Sequence, residues 1–229
     1  MESKLNLLKA ILNEVHDLNA VSSLLGWDQQ TYMPPGAAEG RGYQSGTIDK
    51  IAHEKFTSPE VGKLLEELLV ATAELDPNSD DARLVKVTHR EYEKQVKVPP
   101  NMVVEFAQVT TMAQQAWQEA RAENNFAKFQ PWLEKILDFG HRYAELFAPY
   151  DHVYDPLLDR FEPGLKTAEV KQIFADLRPI QVDLIKKISE KPQVDDSFNH
   201  LTYDEQKQWD FGVEVITKFG YDWKRGRQD

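Results

Sequence analysis

The sequence predicts an all-α fold with no sheet. Apolar residues recur at steps of three and four along most of the 229 residues, the spacing that places them on one face of a helix. No segment alternates with period two over the length of a strand. Prolines and small polar capping residues fall where the periodic segments begin and end.

Leu5, Leu8, Leu12 and Val15 set the first stripe, which Leu7, Ile11 and Leu18 widen. Pro34 and Pro35 bar that helix from continuing, because proline lacks an N–H and holds the residue before it extended. Thr57-Ser58-Pro59-Glu60 reads as a capping box ahead of Val61, Leu64, Leu65, Leu68 and Leu75. Asp76-Pro77-Asn78-Ser79 then separates this helix from one running from about Asp80 to Val96. Pro99 and Pro100 open a helix carrying Val103, Phe106, Thr110, Ala113, Trp117 and Ala120. After Asn124 and Asn125 come Phe129, Leu133, Ile136, Gly140, Tyr143 and Phe147. Trp117, Phe129, Trp132, Tyr143 and Phe147 fall at helical spacing and read as core.

Ala148 to Gly164 is irregular and holds Pro149, Pro156 and Pro163. Thr167 caps a helix with Ile173, Leu177, Leu184 and Ile188, which Pro179 is expected to kink or split. Thr202-Tyr203-Asp204-Glu205 is a second capping box, before Trp209, Val213 and Ile216. The expectation is about seven or eight helices, antiparallel where loops are short. They form one assembly over residues 1–229, with a candidate sub-boundary in the proline-rich loop 149–164.

Composition narrows the function classes. With 41% hydrophobic and 28% charged residues, the chain has the balance of a soluble globular protein. It holds no apolar run near the ~20 residues that span a bilayer, and Met1 to Lys9 is too charged for a signal peptide. The absence of cysteine excludes disulfides and thiolate chemistry and makes the cytoplasm the default compartment. A net charge of −11 argues against nucleic-acid partners, since phosphate binding needs clustered Lys and Arg. The one basic cluster is Lys224, Arg225 and Arg227.

Catalytic motifs are missing. A metallopeptidase His-Glu-x-x-His places two histidines on one helix face with a glutamate beside the bound water. The nearest match, His53-Glu54-Lys55-Phe56-Thr57, has threonine where the second histidine belongs. His89 and Glu93 share a helix face, but at i,i+4 an ordinary surface pairing explains them. No Gly-x-Ser-x-Gly elbow or phosphate loop is present. No residue is assigned as catalytic or as a metal ligand.

The run from Gly26 to Arg41 is the most distinctive segment. Trp27 and Asp28 stand where the first helix runs out, and Thr31, Tyr32, Met33 and the two prolines follow. Trp27, Asp28, Thr31, Tyr32, Met33 and Arg41 could line a peptide groove, with Arg41 attracting a carboxylate. The favoured reading of the same residues is a helix-to-helix corner with Trp27 in the core, Asp28 bonding backbone N–H groups and Arg41 paired internally, since such corners more often serve packing than catalysis. Asp155, Asp159 and Arg160 pose the same choice, between a site and a salt-bridged, Asx-capped loop.

Trp27-Asp28, Thr31, Met33-Pro34, Gly36 and Arg41 resemble the N-terminal signature of the thermostable carboxypeptidase Taq family. Tyr154 to Gly164 and the tail Phe219 to Asp229 are similar to later stretches of that family. The resemblance covers roughly the N-terminal half of such a protein. It implies an all-α metallocarboxypeptidase that removes single residues from peptide C-termini, uses a divalent metal of the zinc or cobalt type, and commonly forms homodimers. It also implies that the zinc-binding helix, the third glutamate ligand and the substrate-carboxylate contacts lie in the other half, beginning with a His-Pro-Phe expected soon after Asp229.

Two readings follow. In one, the chain is the N-terminal part of a truncated carboxypeptidase, inactive alone, whose peptide substrate is bound only by the full-length protein. In the other, it is a free-standing helical interaction module that pairs with a full-length paralogue or a separate C-terminal polypeptide. Phe219, Tyr221 and Trp223, three large aromatics at the end of the chain, call for a covering surface and favour the first. Self-association through an uncovered apolar face is expected in either case.

Overall fold

The computed structural model describes Met1 to Gln228; Asp229, the last residue of the family-like tail, lies outside the described residues. Nine α-helices and two short 3-10 turns are present among them, with no strand. The backbone divides into two compact units, one from Met1 to Val170 and one from Lys171 onward.

The first unit is built from α1 (Glu2–Thr31), α2 (Ala38–Phe56), α3 (Pro59–Thr72), α4 (Asp80–Gln95), α5 (Pro100–Ala122), α6 (Phe126–Glu145) and the single turn α7 (Asp155–Leu158). Two apolar clusters hold it. Leu5 and Leu8 of α1, Val61, Leu64, Leu65 and Leu68 of α3, and Val85 of α4 form one. Leu8, Val61, Leu65, Leu68 and Val85 are fully enclosed, and burying each such side chain stabilises the fold by about 1.5–3 kcal/mol. Met102 of α5 with Phe139 and Tyr143 of α6 form the other, flanked by Val98, Phe106, Phe147 and Leu157.

α2 has no counterpart in the periodicity of the sequence, because Gly40, Gly42 and Gly46 interrupt any stripe. Its reason is tertiary. A Cβ at Gly46 would sit 3.2 Å from Val104 Cγ1 and 3.4 Å from the Val104 carbonyl, and one at Gly42 would sit 3.4 Å from Gln108 Cα. The two glycines let α2 lie directly against the backbone of α5, which is worth more than the helix propensity they forfeit.

Both capping boxes shift in the structure. Ser58, not Thr57, caps α3, accepting from the Val61 N–H at 3.4 Å. Pro59 holds Ser58 extended, so the cap must be the residue before the proline. Thr57 instead closes α2, its hydroxyl donating to the His53 carbonyl at 2.8 Å. Asp204, not Thr202, caps the last helix and accepts from the Lys207 N–H at 2.9 Å. Ser79 caps α4 as its position ahead of Asp80 suggests.

The expected aromatic core is thinner than the spacing implies. Tyr143 is buried, Phe129, Trp132 and Phe147 are half-buried, and Trp117 is exposed with the Arg121 guanidinium over its ring. A stripe at helical spacing needs a second surface to become a core, and on this end of α5 the covered face runs through Ala120 while Trp117 stays 43% exposed.

α8 (Thr167–Ser189) begins in the first unit and continues into the second, which also holds α9 (Glu205–Lys218). Pro179 lies inside α8 without splitting it. In the tail, Tyr221 and Trp223 meet edge to face at 4.7 Å, and the Trp223 indole donates to Thr217 Oγ1 at 2.7 Å. No described residue from Lys171 onward is fully buried.

The α2–α5 approach predicts opposite effects at two glycines of one helix. Gly46→Leu should destabilise the first unit by about 1–3 kcal/mol through overpacking. Gly40→Ala, at a position with open space around it, should stabilise by about 0.5–1 kcal/mol. Urea denaturation midpoints measure both, and equal effects would remove the packing explanation.

Candidate functional site

The corner between α1 and α2 is an internally bonded latch. α1 runs through Trp27 and Asp28 to Thr31, three residues further than the sequence suggests, because the prolines only begin at Pro34. Arg41, on the first turns of α2, donates to Asp28 Oδ2, to the Leu25 carbonyl and to Gln44 Oε1. Its side chain is 12% exposed. The guanidinium is therefore committed to the corner and is not free to receive a ligand carboxylate. Asp28 bonds Arg41 rather than backbone N–H groups. Trp27 is half-buried rather than in the core and packs edge to face on exposed Tyr32 at 5.4 Å. Thr31 Oγ1 donates back to the Trp27 carbonyl at 2.8 Å, and Met33 is half-buried.

The loop around α7 is a second bonded unit. Asp155 is buried, and its Oδ1 accepts from the Thr167 N–H at 2.8 Å and the Thr167 hydroxyl at 2.6 Å. The Thr167 hydroxyl first, and then its N–H, hold the Asp155 carboxyl below the ordinary carboxylate range; Lys166 adds to this and burial opposes it. The second carboxylate oxygen has no hydrogen-bond partner, with the Lys166 ammonium 3.6 Å away. Asp159 ties the loop to α4 through Lys94 Nζ at 2.6 Å, and its Oδ1 accepts from the Gly164 N–H at 2.7 Å. Gly164 has φ +87°, a left-handed conformation that favours glycine. Arg160 is exposed and lies over the ring of Tyr143, 5.3 Å from its centroid.

Within the first unit a cleft of about 610 Å³ opens between α1, α2, α4, α5 and α6. Its wall carries the stacked rings of Phe106 and Phe139, 4.3 Å apart, with Tyr143, Val98 and Val103 beside them. His53, Lys94, Glu91 and Arg160 supply the polar groups. Of the eight candidates from the sequence, only Arg160 lines this cleft; Trp27, Asp28, Thr31, Tyr32, Met33 and Arg41 stand at the corner, and Asp155 is turned onto Thr167. The other cleft residues come from helices far apart in sequence, and no local signal marks them. Burial raises the Tyr143 hydroxyl above its usual value, with Arg160 opposing and the charges of Asp159 and Glu91 adding to the rise.

The donors do not fit a divalent metal. Among the described residues no three of His, Asp and Glu converge. His53 is buried with Nε2 2.8 Å from the Val98 carbonyl, so that nitrogen carries a proton and cannot ligate. His89 and Glu93 form only a 3.6 Å surface pair.

Arg41→Ala should destabilise the corner by about 1–3 kcal/mol, since a hydrogen bond to a charged group contributes roughly 1.5–3 kcal/mol, and Arg41→Lys should lose less. For Asp155, a depressed carboxyl stabilises the fold above its unfolded value and loses that contribution as pH falls through its folded one. The stability gap between the parent chain and Asp155→Asn should be full above about pH 5 and shrink below about pH 4. Thermal melts across that range measure it, and a pH-independent gap would exclude the ionised role.

The sequence profile of the carboxypeptidase Taq (M32) metallopeptidases matches residues 7–229. Thermostable carboxypeptidase 1 of Thermus thermophilus is 32% identical over 222 residues, which is 93% of this chain and 44% of that protein. Carboxypeptidase 1 of Bacillus subtilis is 28% identical over 222 residues, 96% of this chain and 44% of its own. Among solved structures, the BsuCP crystal structure superposes over 100% of this chain and 45% of its own with a TM-score of 0.86 at 29% identity. The M32 carboxypeptidase of Deinococcus radiodurans gives 0.76 at 33% identity over 99% of this chain and 45% of its own. The chain thus spans a little under half the length of the relatives it matches. With the family profile running through both units, the protein belongs to the carboxypeptidase Taq (M32) metallopeptidase family.

Proposed function

We propose that this chain is the N-terminal part of a metal-dependent carboxypeptidase acting on peptide C-termini, and that it is inactive by itself. Its helices would form the roof and wall of the peptide groove. The carrying observation is the disagreement between a family profile that covers the chain and a donor set in which, among the described residues, no three converge on a metal. A zinc- or cobalt-type ion, when bound, supplies the activated water of such peptidases; this chain's described residues are not arranged to hold it. The Trp27–Arg41 corner then serves to fix α1 against α2, and its groove-lining role reduces to the exposed Tyr32 and Thr31.

The second unit supports a need for further polypeptide. On α8, Ile173, Phe174, Ile180, Leu184 and Ile188 are each more than half exposed. Phe219 is 86% exposed, beyond what an isolated surface aromatic explains. We assign these faces to a C-terminal polypeptide of the same family, in the same chain or supplied separately, with homodimeric pairing as the competing use. A helical module that pairs with a full-length paralogue uses the same faces. No helix among the described residues is long and apolar enough to cross a membrane, the acidic charge disfavours nucleic acid, and we place the protein in the cytoplasm.

Reconstitution tests this. The chain alone should hold no stoichiometric zinc and release no amino acid from a blocked dipeptide. Co-expressed with the segment of Bacillus subtilis carboxypeptidase 1 that follows the matched region, it should co-purify, bind metal and turn over. Metal and turnover by the chain alone would overturn the reading. Co-purification without turnover would favour the interaction module.

A further inference from the structure

The two units differ in what holds their helices. In the first, Leu8, Val61, Leu65, Leu68 and Val85 are fully enclosed. In the second, every residue from Lys171 to Phe211 is exposed, and the described residues that follow reach at most half-burial. α8 nonetheless carries the pattern of a covered helix. Ile173, Leu177, Ile180, Leu184 and Ile188 step by four, three, four and four, with Phe174 and Ile185 beside them. All seven are 39–67% exposed. Such a stripe stabilises a helix only when a second surface takes it out of water.

Without that surface each helix rests on its own propensity. α9 has 14 residues, a length at which isolated helices are marginal in water. α8 has 23 but holds Pro179 in its interior, where proline removes one intrahelical hydrogen bond and crowds the turn before it. Only the start of α8 is anchored: Thr167 is buried, and its N–H and hydroxyl both donate to Asp155 Oδ1. The relatives on which α8 and α9 superpose carry more polypeptide than this chain, which spans under half of each. The helical form of this segment is thus shared with larger folds.

We propose that residues 171–228 fold only on assembly. In the chain alone α8 opens beyond its anchored first turn, together with α9, while the first unit stays closed. A C-terminal polypeptide of the family, laid on the Ile173–Ile188 stripe, locks both helices. The opening follows from burial alone, and only the identity of the cover rests on the carboxypeptidase reading.

Amide hydrogen exchange on the full chain, read by mass spectrometry, tests the two parts separately and needs neither metal nor turnover. In the chain alone, peptides from 171–228 should exchange at least about a hundredfold faster than those of α3 and α5, as a locally opening segment does beside a packed core. The rate should not depend on protein concentration. Pro179→Ala should slow exchange over 173–188 roughly tenfold or more, because there the helix's own propensity limits opening. Ile180→Ser, of similar propensity, should change nothing in the chain alone. Adding the segment of Bacillus subtilis carboxypeptidase 1 that follows the matched region should slow exchange across 171–228 about a hundredfold, and Ile180→Ser should remove most of that gain. Equal protection of the two units in the chain alone, or indifference to Pro179→Ala, would overturn the proposal, as would fast exchange that persists in a complex with the added segment. Protection that grows with concentration would overturn the assigned cover in favour of a second copy. Fast exchange alone with no binding of the segment would uphold the opening and count against both the assigned cover and the carboxypeptidase reading.

Discussion

The architecture of the first unit depends on how closely α2 can approach α5. Gly42 and Gly46 remove the side chains that would hold the two helices apart, and any Cβ at Gly46 would press on Val104. With α2 seated there, His53 reaches the Val98 carbonyl ahead of α5, and Arg41 reaches back to Leu25 and Asp28 near the end of α1. One close helix contact therefore sets the corner, one wall of the cleft and the geometry of the only buried histidine among the described residues.

The cleft also shows how charge is distributed in this acidic chain. Lys94 in the cleft wall is matched by the Asp159 carboxylate. Arg160 instead uses an aromatic ring, which positions it without neutralising it. Arg41 is paired internally with Asp28 and the Leu25 carbonyl, in keeping with the corner reading of the sequence.

Much of the fold was legible in the sequence. The stripes of α1 and α3 supply most of the first core, and Ser79 and the paired prolines mark helix starts within a residue or two. The failures have particular causes. α2 was invisible because its glycines serve packing against α5 rather than amphipathicity. The capping boxes slipped because a proline at the first helical position, or an aspartate nearer the start, overrides the Ser/Thr pattern. Trp117 read as core because periodicity reports a face and not whether anything covers it. Of the site candidates, Arg160 was nameable from the Tyr154–Gly164 motif, whereas Phe106, Phe139, Tyr143 and His53 meet only through packing of separate helices.

Composition and periodicity by themselves settled the all-helical class, the exclusion of disulfide and thiolate chemistry, and the absence of a His-Glu-x-x-His run, because each follows from which residues are present and at what spacing. Tertiary structure alone decided which charges are satisfied and where a cavity remains. Those outcomes depend on distances between residues as far apart as His53 and Val98 or Lys94 and Asp159, and no one-dimensional spacing encodes them.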